Sequence, residues 1–155
     1  MEQTVAQVGS AVKKTRAQVL RDKVVIRLAT DEAGPLIAEV LKENGIEFPG
    51  ADWSKVFPNW LIATEGDEVI GCLQVLPAKP VTWCEFLFVK PSAGFKTRAI
   101  AIRKLIAAGM STAFHGGATH VAGMVDGKNH KFYGVLTKLN FVAVSPHMAM
   151  LKRLK

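Results

Sequence analysis

A carboxylate and two cations mark the middle of the chain as a place where chemistry can occur. Glu85 stands inside the apolar run Trp83-Cys84-Glu85-Phe86-Leu87-Phe88-Val89. Burial in such a strand disfavours the charged carboxylate and lifts its pKa toward neutrality, the range a general base needs. On a regular strand Glu85 shares a face with Leu87 and Val89; the alternatives are an internal ion pair or a solvent-facing side chain. A few residues on, Gly94, Lys96 and Arg98 fall between this strand and an apolar periodic segment containing Ile102, Leu105, Ile106 and Met110. A helix N-terminus presents unpaired N–H groups and partial positive charge, so a glycine and two cations there describe a seat for a phosphate.

Other reactive side chains form no such constellation. Cys72 and Cys84 lie in strand-like apolar stretches and read as reduced core thiols. The four histidines lack the cysteine or carboxylate neighbours a metal site needs, so no metal is expected.

The elements that must position these groups follow from pattern. At 155 residues and 49% hydrophobic content the chain suits one domain, able to bury about two-thirds of its unfolded surface. No apolar run reaches the length of a membrane span, and the N-terminus lacks a signal-peptide core; a cytoplasmic protein with no membrane association is expected. Residues 1–22 are polar and basic, with Val5, Val8, Val12 and Val19 at helical spacing. Alone such a helix is marginal, so a partner protein is expected to hold this tail, and residues 23–155 form the domain.

Lys23–Thr30 reads as a strand, Asp31 as a cap, and Leu36, Ile37, Val40 and Leu41 as the buried stripe of a helix stopped by Asn44-Gly45. An aromatic loop with Trp53, Phe57 and Trp60 leads to strands Trp60–Thr64 and Val69–Leu76, joined by a turn. Asp52 and Glu47 lie near that loop, and solvated carboxylates are their ordinary reading. Strand Trp83–Val89, helix Thr97–Phe114, strand His120–Val125, a helix from Asn129 to about Leu139 and a closing pair of strands complete the order. A meander followed by a strand-helix-strand-helix unit predicts an α/β fold: a mixed, mostly antiparallel sheet with helices on both faces.

The formal charge is +7, with cations gathered at Lys13–Lys23, at Lys90, Lys96, Arg98, Arg103 and Lys104, and at Lys152, Arg153 and Lys155. Nucleic acid is an unlikely partner, because no helix-turn-helix, zinc or aromatic stacking signature accompanies the charge.

Two stretches carry a family likeness. Val89–Leu105 resembles the strand-loop-helix "V-x-P-x-x-R-G-x-G-I-G" of the GNAT superfamily of N-acetyltransferases, and Asn129–Phe141 its "N-x-x-A-x-x-x-Y-x-x-x-G-F". The resemblance implies the GNAT fold and an acetyl-CoA site. Phe88 and Val89 would bond the pantetheine arm, and Gly94, Lys96, Thr97, Arg98 and Ala99 would hold the pyrophosphate, with Asn129 also on the cofactor. It implies acetyl transfer to an amine acceptor, with Glu85 as base.

Departures accompany it. Phe95 and Thr97 replace glycines, Leu136 replaces a tyrosine that protonates the leaving thiolate, and Asn140 replaces the helix-ending glycine. Tyr133, one turn before Leu136, is the substitute acid, or else it simply packs at the surface. A degenerate GNAT-like chain also resembles products of tailed bacteriophages, which implies an alternative role as a virion component.

Overall fold

The computed structural model describes residues 14–47, 59–125, 129–144 and 149–154. Trp53, Phe57, Asp52, His147 and the first thirteen residues lie outside this set. Among the described residues, seven strands form one sheet in the order β1-β2-β3-β4-β5-β7-β6. They are β1 (Val24–Leu28), β2 (Trp60–Glu65), β3 (Glu68–Leu76), β4 (Val81–Val89), β5 (His120–Met124), β6 (Val142–Ala143) and β7 (Ala149–Arg153). Every pairing is antiparallel except β4 with β5. The helices are α1 (Arg16–Lys23), α2 (Gly34–Glu43), α3 (Phe95–His115) and α4 (His130–Lys138). The mixed, mostly antiparallel sheet expected from the sequence is present.

The ends of the basic tail's helix are set by side chains. Thr15 caps α1 in a reciprocal capping box with Gln18. At the other end the Lys104 ammonium donates to the carbonyls of Arg21 at 2.7 Å and Val24 at 2.6 Å, where a cation favours the helix dipole.

Asp31 does not cap α2. It opens a short 3-10 turn, Asp31–Ala33, and α2 then starts at Gly34 with Pro35 in its first turn. One turn of the expected stripe is also displaced: Ile37, Val40 and Leu41 are buried, but Leu36 is exposed. The β2–β3 hairpin turns on only Gly66-Asp67, with Gly66 at φ 62°, a conformation that favours glycine.

α2 and α3 cover opposite faces. Ile37, Val40 and Leu41 pack with Trp60, Ile62 and Cys72. Ala101 and Leu105 of α3 pack with Leu61, Ala63, Leu73 and Val75. α3 lies close to the sheet because Gly109 faces it: a Cβ there would stand 2.8 Å from Leu73 Cδ2. α4 joins a third cluster, in which Leu136 and Phe141 meet Ile106, Val121 and Met150. Asn140 adopts φ 63°, the left-handed end of α4 that asparagine tolerates.

Candidate active site at the fork of β4 and β5

Two parallel strands part at this site. β4 pairs with β5 only from Val81↔His120 to Cys84↔Gly123, whereas its pairing with β3 runs on to Gly71↔Val89. The last shared rung is tight: a Cβ on Gly123 would lie 2.9 Å from the Cys84 carbonyl oxygen, an approach that glycine permits. Beyond it β5 stays with β7 as far as Met124↔Ala149. The β4–β5 ladder therefore ends at Cys84, before Phe88 and Val89. A cavity of about 250 Å³ opens there, lined by Glu85, Phe86 and Phe88 from β4, Met124 from β5, and Asn129 and Leu136.

β4 is also bulged at this point. Gln74 pairs with Glu85 and Cys72 with Phe88, so Leu73 alone faces Phe86 and Leu87. Phe86 takes up the extra residue at φ 49°, a strained conformation for an aromatic residue that surrounding contacts must hold. Its ring lies 6.0 Å from that of Trp60. The bulge shifts the alternation of the strand: Cys84, Leu87 and Val89 pack with the α3 clusters, and Phe86 and Phe88 with the α2 cluster. Glu85, next to Cys84, therefore lies on the α2 face and does not share a face with Leu87 and Val89. The unbroken apolar stretch Phe86–Val89 gives no sequence sign of this extra residue.

Glu85 is half-buried and takes part in none of the ion pairs among the described residues. It is the carboxylate of the cavity lining. Burial pushes the thiols of Cys84, in the lining, and Cys72, beneath it, up to about 12, so both stay protonated and neither is a nucleophile at neutral pH. Asn129 is the N-cap of α4: its Oδ1 accepts from the Phe132 amide at 3.1 Å. It also borders the cavity. Leu136 closes the wall from the next turn, whereas Tyr133 is half-buried in the third cluster and is not part of that wall.

The β4–α3 junction is where the sequence places its candidate anion seat. α3 starts at Phe95, two residues earlier than its sequence spacing suggests, with Gly94 as an N-cap that makes no side-chain hydrogen bond. Its first intrahelical bond runs from Arg98 N to Gly94 O at 2.9 Å, so the amides of Phe95, Lys96 and Thr97 have no intrahelical partner. Thr97 turns under the helix into the buried stripe, while Phe95 is 78% exposed. Lys96, Ala99 and Gly94 are exposed and Arg98 half-exposed; neither cation has a carboxylate partner among the described residues.

The cation cluster around this junction divides. Lys104 is committed to α1. Lys90 is buried and reaches Glu39 at 2.8 Å, Glu68 at 3.2 Å and Glu43 at 3.7 Å. Burial works against its charge, but the hydrogen bonds to Glu39 and Glu68 outweigh it and hold the ammonium above the ordinary lysine value. Only Lys96, Arg98 and Arg103 of this group remain for an external anion. Sequence spacing did not reveal the Lys90 partners, which come from α2 and the start of β3.

No family model matches the chain, and no curated protein matches it in sequence. Solved structures match it in shape. Ard1 from Thermoplasma volcanium superposes with a TM-score of 0.71 at 12% identity, covering 86% of this chain and 99% of that one. The PaiA N-acetyltransferase of Thermoplasma acidophilum, solved with coenzyme A, gives 0.69 at 16% identity over 84% and 99%. The N-acetylglutamate synthase of Neisseria gonorrhoeae, solved with coenzyme A and L-arginine, gives 0.70 at 16% over 84% of this chain and 33% of its own. The chain spans about a third of that last protein. The chain has the GNAT fold.

No helix is long and apolar enough to cross a membrane, and no group of histidines, cysteines or carboxylates is arranged for a metal ion, among the described residues.

Proposed function

We propose that the chain is an acetyl-CoA-dependent N-acyltransferase acting on an amine acceptor. The observation that carries this reading is the fork. A strand that parts from its parallel neighbour after Cys84 borders a mostly apolar cavity and leads to a helix N-terminus with two cations, Lys96 and Arg98, that have no carboxylate partner among the described residues. The edge of β4 beyond Cys84, with Phe88 and with Val89, whose carbonyl also accepts from Asn44 at 3.3 Å, suits an extended amide-containing arm, bonded as an added strand would be. The amides from Phe95 to Thr97, with Gly94, Lys96, Arg98 and Ala99 around them, suit a pyrophosphate. Asn129 borders the same cavity and orients α4 against it. Acetyl-CoA supplies a thioester carbonyl at which an amine attacks.

The residues have limited work to do beyond holding the reactants in line, which alone can supply several kcal/mol. Glu85 accepts the proton that the acceptor ammonium gives up before attack. Main-chain amides at the bulge polarise the carbonyl. Leu136 has no proton to offer and Tyr133, from the turn before, lies outside the cavity wall, so solvent entering the fork neutralises the departing thiolate.

The test is coenzyme A binding followed by an acceptor screen with Glu85→Gln. Wild-type turnover with loss in the variant at unchanged coenzyme A affinity is the expected result; equal turnover in both removes Glu85 as base. A second reading is favoured by Leu136, buried where the family resemblance places a tyrosine. It makes the chain a non-catalytic interaction module, such as a virion component, held through residues 1–22. Absence of coenzyme A binding supports that alternative.

A further inference from the structure

The last turn of α2 grips the loop that leads into α3, at successive points. The Asn44 side-chain amide donates to the Val89 carbonyl at 3.3 Å and to Val40 O at 2.8 Å. Glu43 approaches the buried Lys90 ammonium at 3.7 Å and accepts from the Ser92 hydroxyl at 2.7 Å. Ala93 N closes a turn onto Lys90 O at 3.1 Å. Val89, Lys90 and Ser92 all fall within the five residues before Gly94, the N-cap of α3.

Local rules argue against a glutamate at this position. A carboxylate in the last turn of a helix opposes the helix dipole, and such violations mark places where tertiary structure asks for something else. Here Lys90 and Ser92 offset the conflict. Ser92 is equally informative. Serine is a preferred helix cap, yet its hydroxyl is committed to Glu43, and Gly94 caps α3 with no side-chain hydrogen bond. With its hydroxyl on Glu43, Ser92 does not serve the first amides of α3.

We infer that Glu43 is a positioning residue: it fixes the β4–α3 loop and withholds the Ser92 hydroxyl from the α3 N-terminus, keeping that end open for the phosphates of the cosubstrate. This rests on the acetyl-CoA reading above. Lys90 anchors the arrangement, because its other carboxylates, Glu39 and Glu68, keep it paired when Glu43 is changed.

The test compares Glu43→Ala, Ser92→Ala, the double variant and Glu39→Ala in the full chain. Glu39→Ala removes the same charge from the same lysine cluster but leaves the Glu43–Ser92 contact in place. Two quantities are read: coenzyme A affinity by calorimetry, and amide hydrogen exchange over residues 92–97 without ligand. Glu43→Ala and Ser92→Ala should each raise exchange in the loop and weaken coenzyme A about three- to tenfold, the range of one hydrogen bond. The double variant should bind no worse than Glu43→Ala, and Glu39→Ala should bind like wild type.

Additive losses, or equal losses in Glu39→Ala, would make the effect one of general stability and overturn the inference. Unchanged exchange and affinity in both loop variants would also overturn it. If wild type itself fails to bind coenzyme A, the acetyl-CoA reading falls instead, and the exchange data still decide whether Glu43 holds the loop.

Discussion

Replacing Lys90 by methionine should expose how the site's base is held together. The methionine keeps most of the buried stem but removes the ammonium, leaving the carboxylates of Glu39, Glu43 and Glu68 converging on an apolar group. The lysine side chain is 5% exposed, while Glu39 and Glu68 are 55% and 62% exposed and Glu43 30%. Removing one partner of a fully buried ion pair costs ~3–5 kcal/mol. Two of these carboxylates retain much of their hydration, and exposed pairs contribute ~0–1 kcal/mol, so the cost here should be about 2–3 kcal/mol. For a domain of this size that is a fall in the unfolding midpoint of roughly 5–10 °C. Urea unfolding followed by tryptophan fluorescence measures it, since Trp60 packs with the α2 cluster beside this network. Neutralising Glu43 in the same background should return part of the loss, as like charges are relieved. A Lys90→Met protein as stable as wild type, or one made worse by the Glu43→Gln addition, would refute the account of this network.

Two glycines should respond in opposite directions. Gly123→Ala places a Cβ against the Cys84 carbonyl, a backbone atom that cannot swing away, and should destabilise by ~1–3 kcal/mol in chemical denaturation. Gly134→Ala, inside α4 with nothing within 4 Å of the new methyl, should stabilise by about 0.5–1 kcal/mol. Alkaline stability follows from Lys90, Cys72 and Cys84, all with folded-state pKa values above their ordinary ones. The folded chain keeps protons that the unfolded chain releases, so the stabilisation is complete below about pH 9 and declines as pH rises toward 12. A pH series of unfolding midpoints reads it, and a flat profile from pH 9 to 11 would contradict it. The same thiols should resist a thiol reagent in the native state at pH 8 and react once unfolded.

Much of this arrangement is legible in the chain because local signals agree with the fold. The periodic residues of α3, the short β2–β3 turn, and Asn129 before the apolar face of α4 each specify their element through backbone geometry. The position of the β4–α3 junction was legible for the same reason. What escaped reading is tertiary. The bulge at Phe86 inserts a residue into a run of hydrophobics with no polar register mark, so the face of Glu85 could not be read from parity. Lys90 appeared as one of several surface cations, because its carboxylates come from elements distant in sequence. Leu36 has the right spacing for the α2 stripe but falls at its edge.

The most direct measurement is titration of the purified full chain with acetyl-CoA, by calorimetry and by thermal unfolding. The account predicts saturable binding. Cosubstrate at a hundredfold excess over its dissociation constant should add about 2.7 kcal/mol, or roughly 5–10 °C in the midpoint, and Lys96→Glu should reduce both. Absence of heat and of any midpoint shift at millimolar acetyl-CoA would contradict the claim that the fork and the α3 N-terminus form an acetyl-CoA site.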